Sequence, residues 1–136
     1  LGPIGLMRSG MLGESIAKKV RETSCEQQKM LEASRVGVLT GWGTDVSLDY
    51  YSSNPGSEFL LRKERGWTAV EMLEQATINS ARIIGMDDNL GTIKAGKIAD
   101  LVIVDGKPDE DITVMTKYPW RILQAGKVTC AEGVIG

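Results

Sequence analysis

Residues 36–45 read VGVLTGWGTD. Val36, Val38, Leu39 and Thr40 give a short β-branched and apolar run, and over Arg35–Thr40 they predict a buried strand. A Gly-Trp-Gly-Thr turn follows and delivers one carboxylate, Asp45. Glycine lacks a Cβ, so Gly41 and Gly43 allow a close backbone approach beside the acid. A strand tip carrying an acid, then a long loop, then helices, fits an α/β barrel, where the C-terminal strand ends carry the chemistry. An aspartate that hydrogen-bonds its own turn gives the same local pattern. Spacing alone leaves both readings open.

Upstream, residues 14–34 show a helical pattern, with Ile16, Val20, Gln27 and Leu31 near one face. Residues 1–13 read as a Gly- and Met-rich loop. Downstream, residues 46–56 are polar and end in Asn54-Pro55-Gly56, a turn signal. Ser57 is placed to cap a helix that runs to Arg65 and stops at Gly66. Thr68 and Glu71 have the spacing of a capping box, in which hydroxyl and carboxylate each satisfy the other residue's backbone N–H. That helix continues through Ala76. Thr77-Ile78-Asn79 reads as a break or a re-cap before a second helix over 80–84, and Gly85 suits the left-handed position after it.

After Asn89 the pattern changes to strands. Ala99–Val104 is apolar on both faces and predicts a doubly buried strand. Residues 120–125 and 127–129 predict a hairpin about Gly126. "AGKIAD" at 95–100 and "AGKVTC" at 125–130 form a near-repeat that shared turn chemistry explains. "GTIKAGKI", 91–98, has the glycine and lysine spacing of a phosphate-binding loop. Ile98, however, stands where a hydroxyl must meet magnesium, and a strand follows where a helix should.

Composition limits the choices further. The chain has 136 residues and a formal net charge of -2, with 16 basic and 18 acidic side chains. It lacks the basic stripe of a nucleic-acid footprint. No apolar run reaches the roughly 18 residues of a membrane span, and the first residues lack the order of a signal peptide. The chain begins at Leu1, which suggests a cut from something longer. Cys25 and Cys130 are far apart and outside any C-x-x-C pair, as expected of free thiols in a reducing cytoplasm.

Three blocks, GVLTGWGTD, TAVEMLEQATINSARIIGM and LGTIKAGKIADLVIVDGKP, follow one another over roughly two-thirds of the chain. Together they resemble the C-terminal part of an amidohydrolase-superfamily metal hydrolase, similar to the imidazolonepropionase, prolidase-like and aryldialkylphosphatase-like members. The last two blocks form a signature far more specific than any three-residue motif. The resemblance implies an α/β fold, the C-terminal part of a TIM-type (β/α)8 barrel plus strands of a small accessory β-sandwich. Residues 1–89 would be the end of the catalytic barrel, with its last strand at about 36–40. Residues 90–136 would be the C-terminal half of the composite sandwich.

The same resemblance implies the chemistry. Asp45 would bind a divalent metal, zinc by analogy, and shuttle a proton between the attacking water and the leaving group. The substrate would be a small amide or peptide-like molecule, cut at a C–N bond. Lys97 would belong to a structural turn. Yet the sequence contains no histidine, and a catalytic zinc needs about three protein ligands. Asp49 and Glu58 add no recognisable site. The resemblance therefore implies a missing N-terminal barrel segment as partner. The alternative is a truncated, non-catalytic assembly module. Tyr50 and Tyr51 are loop or pocket residues; Trp42 and Trp67 are expected as core or interface anchors. The strand edges left open would recruit other chains, so a homo-oligomer is possible.

Overall fold

The computed structural model describes residues 25–44, 56–131 and 134–135. The expected loop over 1–13, most of the helix expected over 14–34, and Asp45, Asp49, Tyr50 and Tyr51 lie outside the described residues. Helix α1 spans Cys25–Arg35, α2 Ser57–Glu64 and α3 Ala69–Glu74. A π-helical turn, Gln75–Asn79, leads without interruption into α4, Ser80–Ile83. Strands β1 (Leu101–Ile103), β2 (Arg121–Gln124), β3 (Lys127–Ala131) and β4 (Val134–Ile135) follow, with a 3-10 turn at Ile112–Thr116 between β1 and β2.

The end of α1 corrects the reading of residues 36–40. Gly37 takes φ 95°. Its N–H donates to Ser34 O at 3.0 Å, and the Val38 N–H donates to Ala33 O at 3.0 Å. This pair of bonds is a Schellman stop, which uses a left-handed glycine to satisfy the last helical carbonyls. Gly37 thus ends a helix rather than lying inside a strand. Residues 38–44 pair with no strand among the described residues, and Val38, expected to be buried, is 55% exposed. A strand exists only by pairing, and no described strand pairs with this segment.

The start of α2 corrects a second reading. Its cap is Gly56, not Ser57, and no side chain caps it. Gly56 is left-handed at φ 71°, and a Cβ there would fall 2.2 Å from Met115 O. The helix start is therefore set by contact with the 3-10 turn, a position only glycine can occupy. The capping box of α3 forms as expected: Thr68 Oγ1 accepts from the Glu71 N–H at 3.3 Å, and the Glu71 carboxylate accepts from the Thr68 N–H at 2.7 Å. Thr77-Ile78-Asn79 does not break the helix. Asn79 is helical and makes no capping bond; the extra residue is absorbed by the π turn.

Leu31, Phe59, Trp67, Met72 and Ile112 form the core, with Met30, Trp42, Leu73 and Met115 packed around it. It lies between α1, α2, α3 and the 3-10 turn. Trp67 within the core and Trp42 against it both serve as anchors.

The sheet is antiparallel in the order β1-β2-β3-β4. Ala125 and Gly126 join β2 to β3 with φ 49° and 79°. Two positive φ values in a two-residue loop match the twist of a tight hairpin. Asp100 Oδ1 holds this turn by accepting from the Ala125 N–H at 2.7 Å. The expected double burial of β1 is not met: Val102 is 58% exposed, because no described layer covers that face.

Asp111 caps the 3-10 turn. The hydroxyl of Thr113 donates to its carboxylate at 2.7 Å and the Thr113 N–H at 3.0 Å. These bonds, hydroxyl first, with a smaller contribution from Lys63, hold its pKa below the ordinary 3.8. The unfolded chain therefore takes up this proton first, so the contribution is full above pH 3.8 and is lost as pH falls below it. Asp111→Asn keeps an acceptor and removes the titration. The Tm gap between wild type and this variant should narrow as pH falls from 5 to about 2.5. A gap independent of pH would contradict the charged cap.

Candidate functional site

The segment that leads to Asp45 is held on helices α2 to α4 by buried polar side chains. Glu58 and Arg62 lie one turn apart on α2. Arg62 Nε donates to Glu58 Oε1 at 2.8 Å, with the two residues only 2% and 3% exposed. Arg62 Nη1 donates to Gln75 Oε1 and, at 3.4 Å, to Gly41 O. Gln75, at the start of the π turn and 1% exposed, donates from Nε2 to Thr40 Oγ1 at 2.9 Å. A buried ion pair stabilises only when its remaining donors are also satisfied. Gln75 and Gly41 supply that here.

Ser80 completes the clamp. Its Oγ accepts from the Trp42 N–H at 3.0 Å and donates to Gln75 O at 2.7 Å. The Arg62 guanidinium lies over the Trp42 ring, 4.5 Å from its centroid, and the Trp42 and Phe59 centroids are 4.2 Å apart. Gly41 lies close to α4: a Cβ there would fall 2.7 Å from Ile83 Cδ1, the movable end of an exposed side chain, and 3.1 Å from Ser80 Oγ. The expected close approach thus occurs at Gly41. At Gly43 an added Cβ would meet nothing within 4 Å, so no contact demands glycine there. An open cleft of about 420 Å³ runs along Gly41–Gly43, with Ser80, Ile83 and Ile84 on its other side.

Asp45, the site residue expected from sequence, is the second residue after Gly43 and lies just outside the described residues. Glu58 belongs to the buried clamp. Lys97 donates to Asp87 O and to Leu90 O, the latter at 3.0 Å. It closes its own turn, as expected. Arg62, Gln75 and Ser80 were missed in the sequence. The i,i+4 spacing of Glu58 and Arg62 was a signal for the first; nothing local marks the other two.

No group of three or more His, Cys, Asp or Glu side chains converges among the described residues. Cys130 is buried on β3 and free. No helix among the described residues is long and apolar enough to cross a membrane.

The described residues thus give an α/β chain with residues 40–42 clamped on helices and a small antiparallel sheet. The model of the amidohydrolase family matches residues 9–123. The chain belongs to that family. It is 32% identical to imidazolonepropionase from Streptococcus gordonii, over 85% of this chain and 38% of the relative. It is 29% identical to 5-methylthioadenosine/S-adenosylhomocysteine deaminase from Moorella thermoacetica, over 87% of this chain and 34% of that protein. Among solved structures, a prolidase complexed with N-methylphosphonate-L-proline superposes with a TM-score of 0.81 at 31% identity, covering 96% of this chain and 33% of that one. The chain thus spans about a third of these relatives. The resemblance to imidazolonepropionase and prolidase-like members is borne out.

Proposed function

We propose that these residues form the closing part of a hydrolase that cleaves C–N bonds in small amide or peptide-like molecules. Residues 1–89 contribute the end of the catalytic barrel, and residues 90–136 contribute strands of the accessory sandwich. Asp45 is the acid of the site. It takes a proton from the attacking water and returns it to the leaving nitrogen, the two halves of general acid–base catalysis. The observation that carries this reading is the clamp on residues 40–42, which gives the chain just before Asp45 a fixed backbone. A turn that served only itself would not need a buried ion pair beneath it. Relatives named as deaminase, imidazolonepropionase and prolidase support the C–N bond as the one cut.

The metal expected of this family does not fit the residues present. The sequence has no histidine, and no ligand cluster forms among the described residues. A zinc centre needs about three protein ligands brought together, and the described residues gather no such set. The 136-residue chain alone is therefore expected to lose zinc on dialysis to well below one equivalent, measured by atomic emission. Retention of one zinc per chain would contradict this ligand count. If these 136 residues are the whole mature protein, the absence of histidine favours a second reading, a non-catalytic assembly module built on the same fold.

An activity assay separates the two. The native polypeptide carrying these residues is offered a dipeptide ending in proline, an N-acyl amino acid and an aminopurine nucleoside. Hydrolysis of at least one is expected. A folded native polypeptide that hydrolyses none would favour the module.

A further inference from the structure

The turn that follows β1 carries a reactive pair outside the proposed hydrolytic site. Asp105-Gly106 is the sole Asp-Gly pair in the sequence, which has no Asn-Gly pair. A glycine after an aspartate has no side chain to shield its N–H, so that nitrogen can reach the neighbouring carboxyl carbon. Both residues are exposed. Among the described residues, neither the Asp105 carboxylate nor the Gly106 N–H has a hydrogen-bond partner. Asp105 lines an open cleft of about 280 Å³ with Val104 and Trp120, so water reaches it. Gly106 takes φ 126°, a conformation that favours glycine, and a Cβ there would fall 2.8 Å from Val114 Cγ1. The other described aspartates differ. Asp100 Oδ1 accepts from the Ala125 N–H, and Leu101 of β1 follows it. Asp111 is held by Thr113, and Ile112 follows it. Asp87, Asp88 and Asp109 are each followed by a residue with a polar side chain.

We propose that Asp105 is a site of spontaneous isomerisation through a cyclic imide. In the first step the Gly106 nitrogen bonds to Asp105 Cγ. The nitrogen loses its proton and the acid form of the carboxyl loses its hydroxyl, which together leave as water. No hydrogen bond to a described residue has to break before the ring forms. In the second step water adds to one of the two ring carbonyls, and the bond from that carbon to nitrogen breaks. Opening at Cγ restores Asp105. Opening at the main-chain carbonyl carbon leaves the chain running through Cβ and Cγ, as an isoaspartyl residue. Water lost in the first step is regained in the second, so the mass is unchanged. The product has an extra backbone carbon between β1 and the 3-10 turn.

The test ages the native polypeptide in neutral buffer made with heavy-oxygen water. Backbone fragmentation in a mass spectrometer then locates both the label and the isoaspartyl linkage. A parallel sample is aged in urea, and the variants Asp105→Asn and Asp105→Glu are aged beside the wild type. Label and isoaspartate are expected to accumulate at residue 105 several-fold faster than at any other described aspartate. The rate in the folded chain should lie within a few-fold of the rate in urea. Asp105→Asn should react faster, because an amide loses ammonia more readily than a carboxyl loses water. Asp105→Glu should stay unlabelled, because its longer side chain would have to close a six-membered ring. A folded wild-type chain that stays unlabelled at residue 105 while the urea sample is labelled would overturn the proposal, since the turn would then protect the pair. Labelling at Asp87, Asp88 or Asp109 as fast as at Asp105 would also overturn it, since exposure without the glycine would then suffice.

Discussion

Asp45→Asn is expected to lower kcat of the native polypeptide by about 100- to 10,000-fold, the usual effect of losing a positioned general base. The exchange is nearly isosteric. It removes the charge that accepts a proton and leaves the side chain able to hydrogen-bond within its own turn. The competing reading, in which Asp45 merely closes that turn, predicts activity within a few-fold of wild type. The variant should melt within a few degrees of the parent, because the elements that hold residues 40–42 are the side chains of Arg62, Gln75 and Ser80. A kinetic loss without a thermal one separates chemistry from folding.

Glu58→Ala has the largest expected effect on stability. It strips the carboxylate from a guanidinium that is 2% exposed. Removing one partner of a buried ion pair typically costs about 3–5 kcal/mol, because the remaining charge is left in a poorly solvated position. That is a large share of the roughly 5–15 kcal/mol that holds a domain folded. Arg62 keeps its bonds to Gln75 and Gly41, which places the expectation at the lower end of that range. Urea unfolding reads the change as a fall in the midpoint at unchanged slope. A Glu58→Ala variant within about 0.5 kcal/mol of wild type, the range of ordinary surface changes, would mean that the pair is not buried in solution.

Features encoded within four residues of each other were legible in the sequence. The capping box needs only Thr68 and Glu71, and the hairpin needs only the apolar runs on either side of Ala125-Gly126. Gly37 was misread because a glycine between valines looks like strand interior. Its role depends on the helix before it, whose last carbonyls it helps to satisfy. Ser57 was misread because the choice of Gly56 depends on Met115, 59 positions away. The clamp was illegible for the same reason: Gln75 meets Thr40 across 35 positions and Ser80 meets Trp42 across 38. Burial of Val38 and Val102 was expected because β-branched runs usually pack on both faces. In this chain the covering layers are absent among the described residues, so both remain half exposed. Asp45 remains a proposal read from the sequence, and the side chains that clamp residues 40–42 were not legible there.

The central claim is that these residues are one part of a larger C–N hydrolase. The most direct measurement is the intact mass of the native polypeptide, captured with an antibody against residues 57–131, with hydrolysis assayed on the same preparation. Since the chain spans 33% of the prolidase it superposes on, the expected polypeptide is about three times these 136 residues, and it should hydrolyse a C–N bond. A native polypeptide of about 136 residues that hydrolyses none would contradict the account.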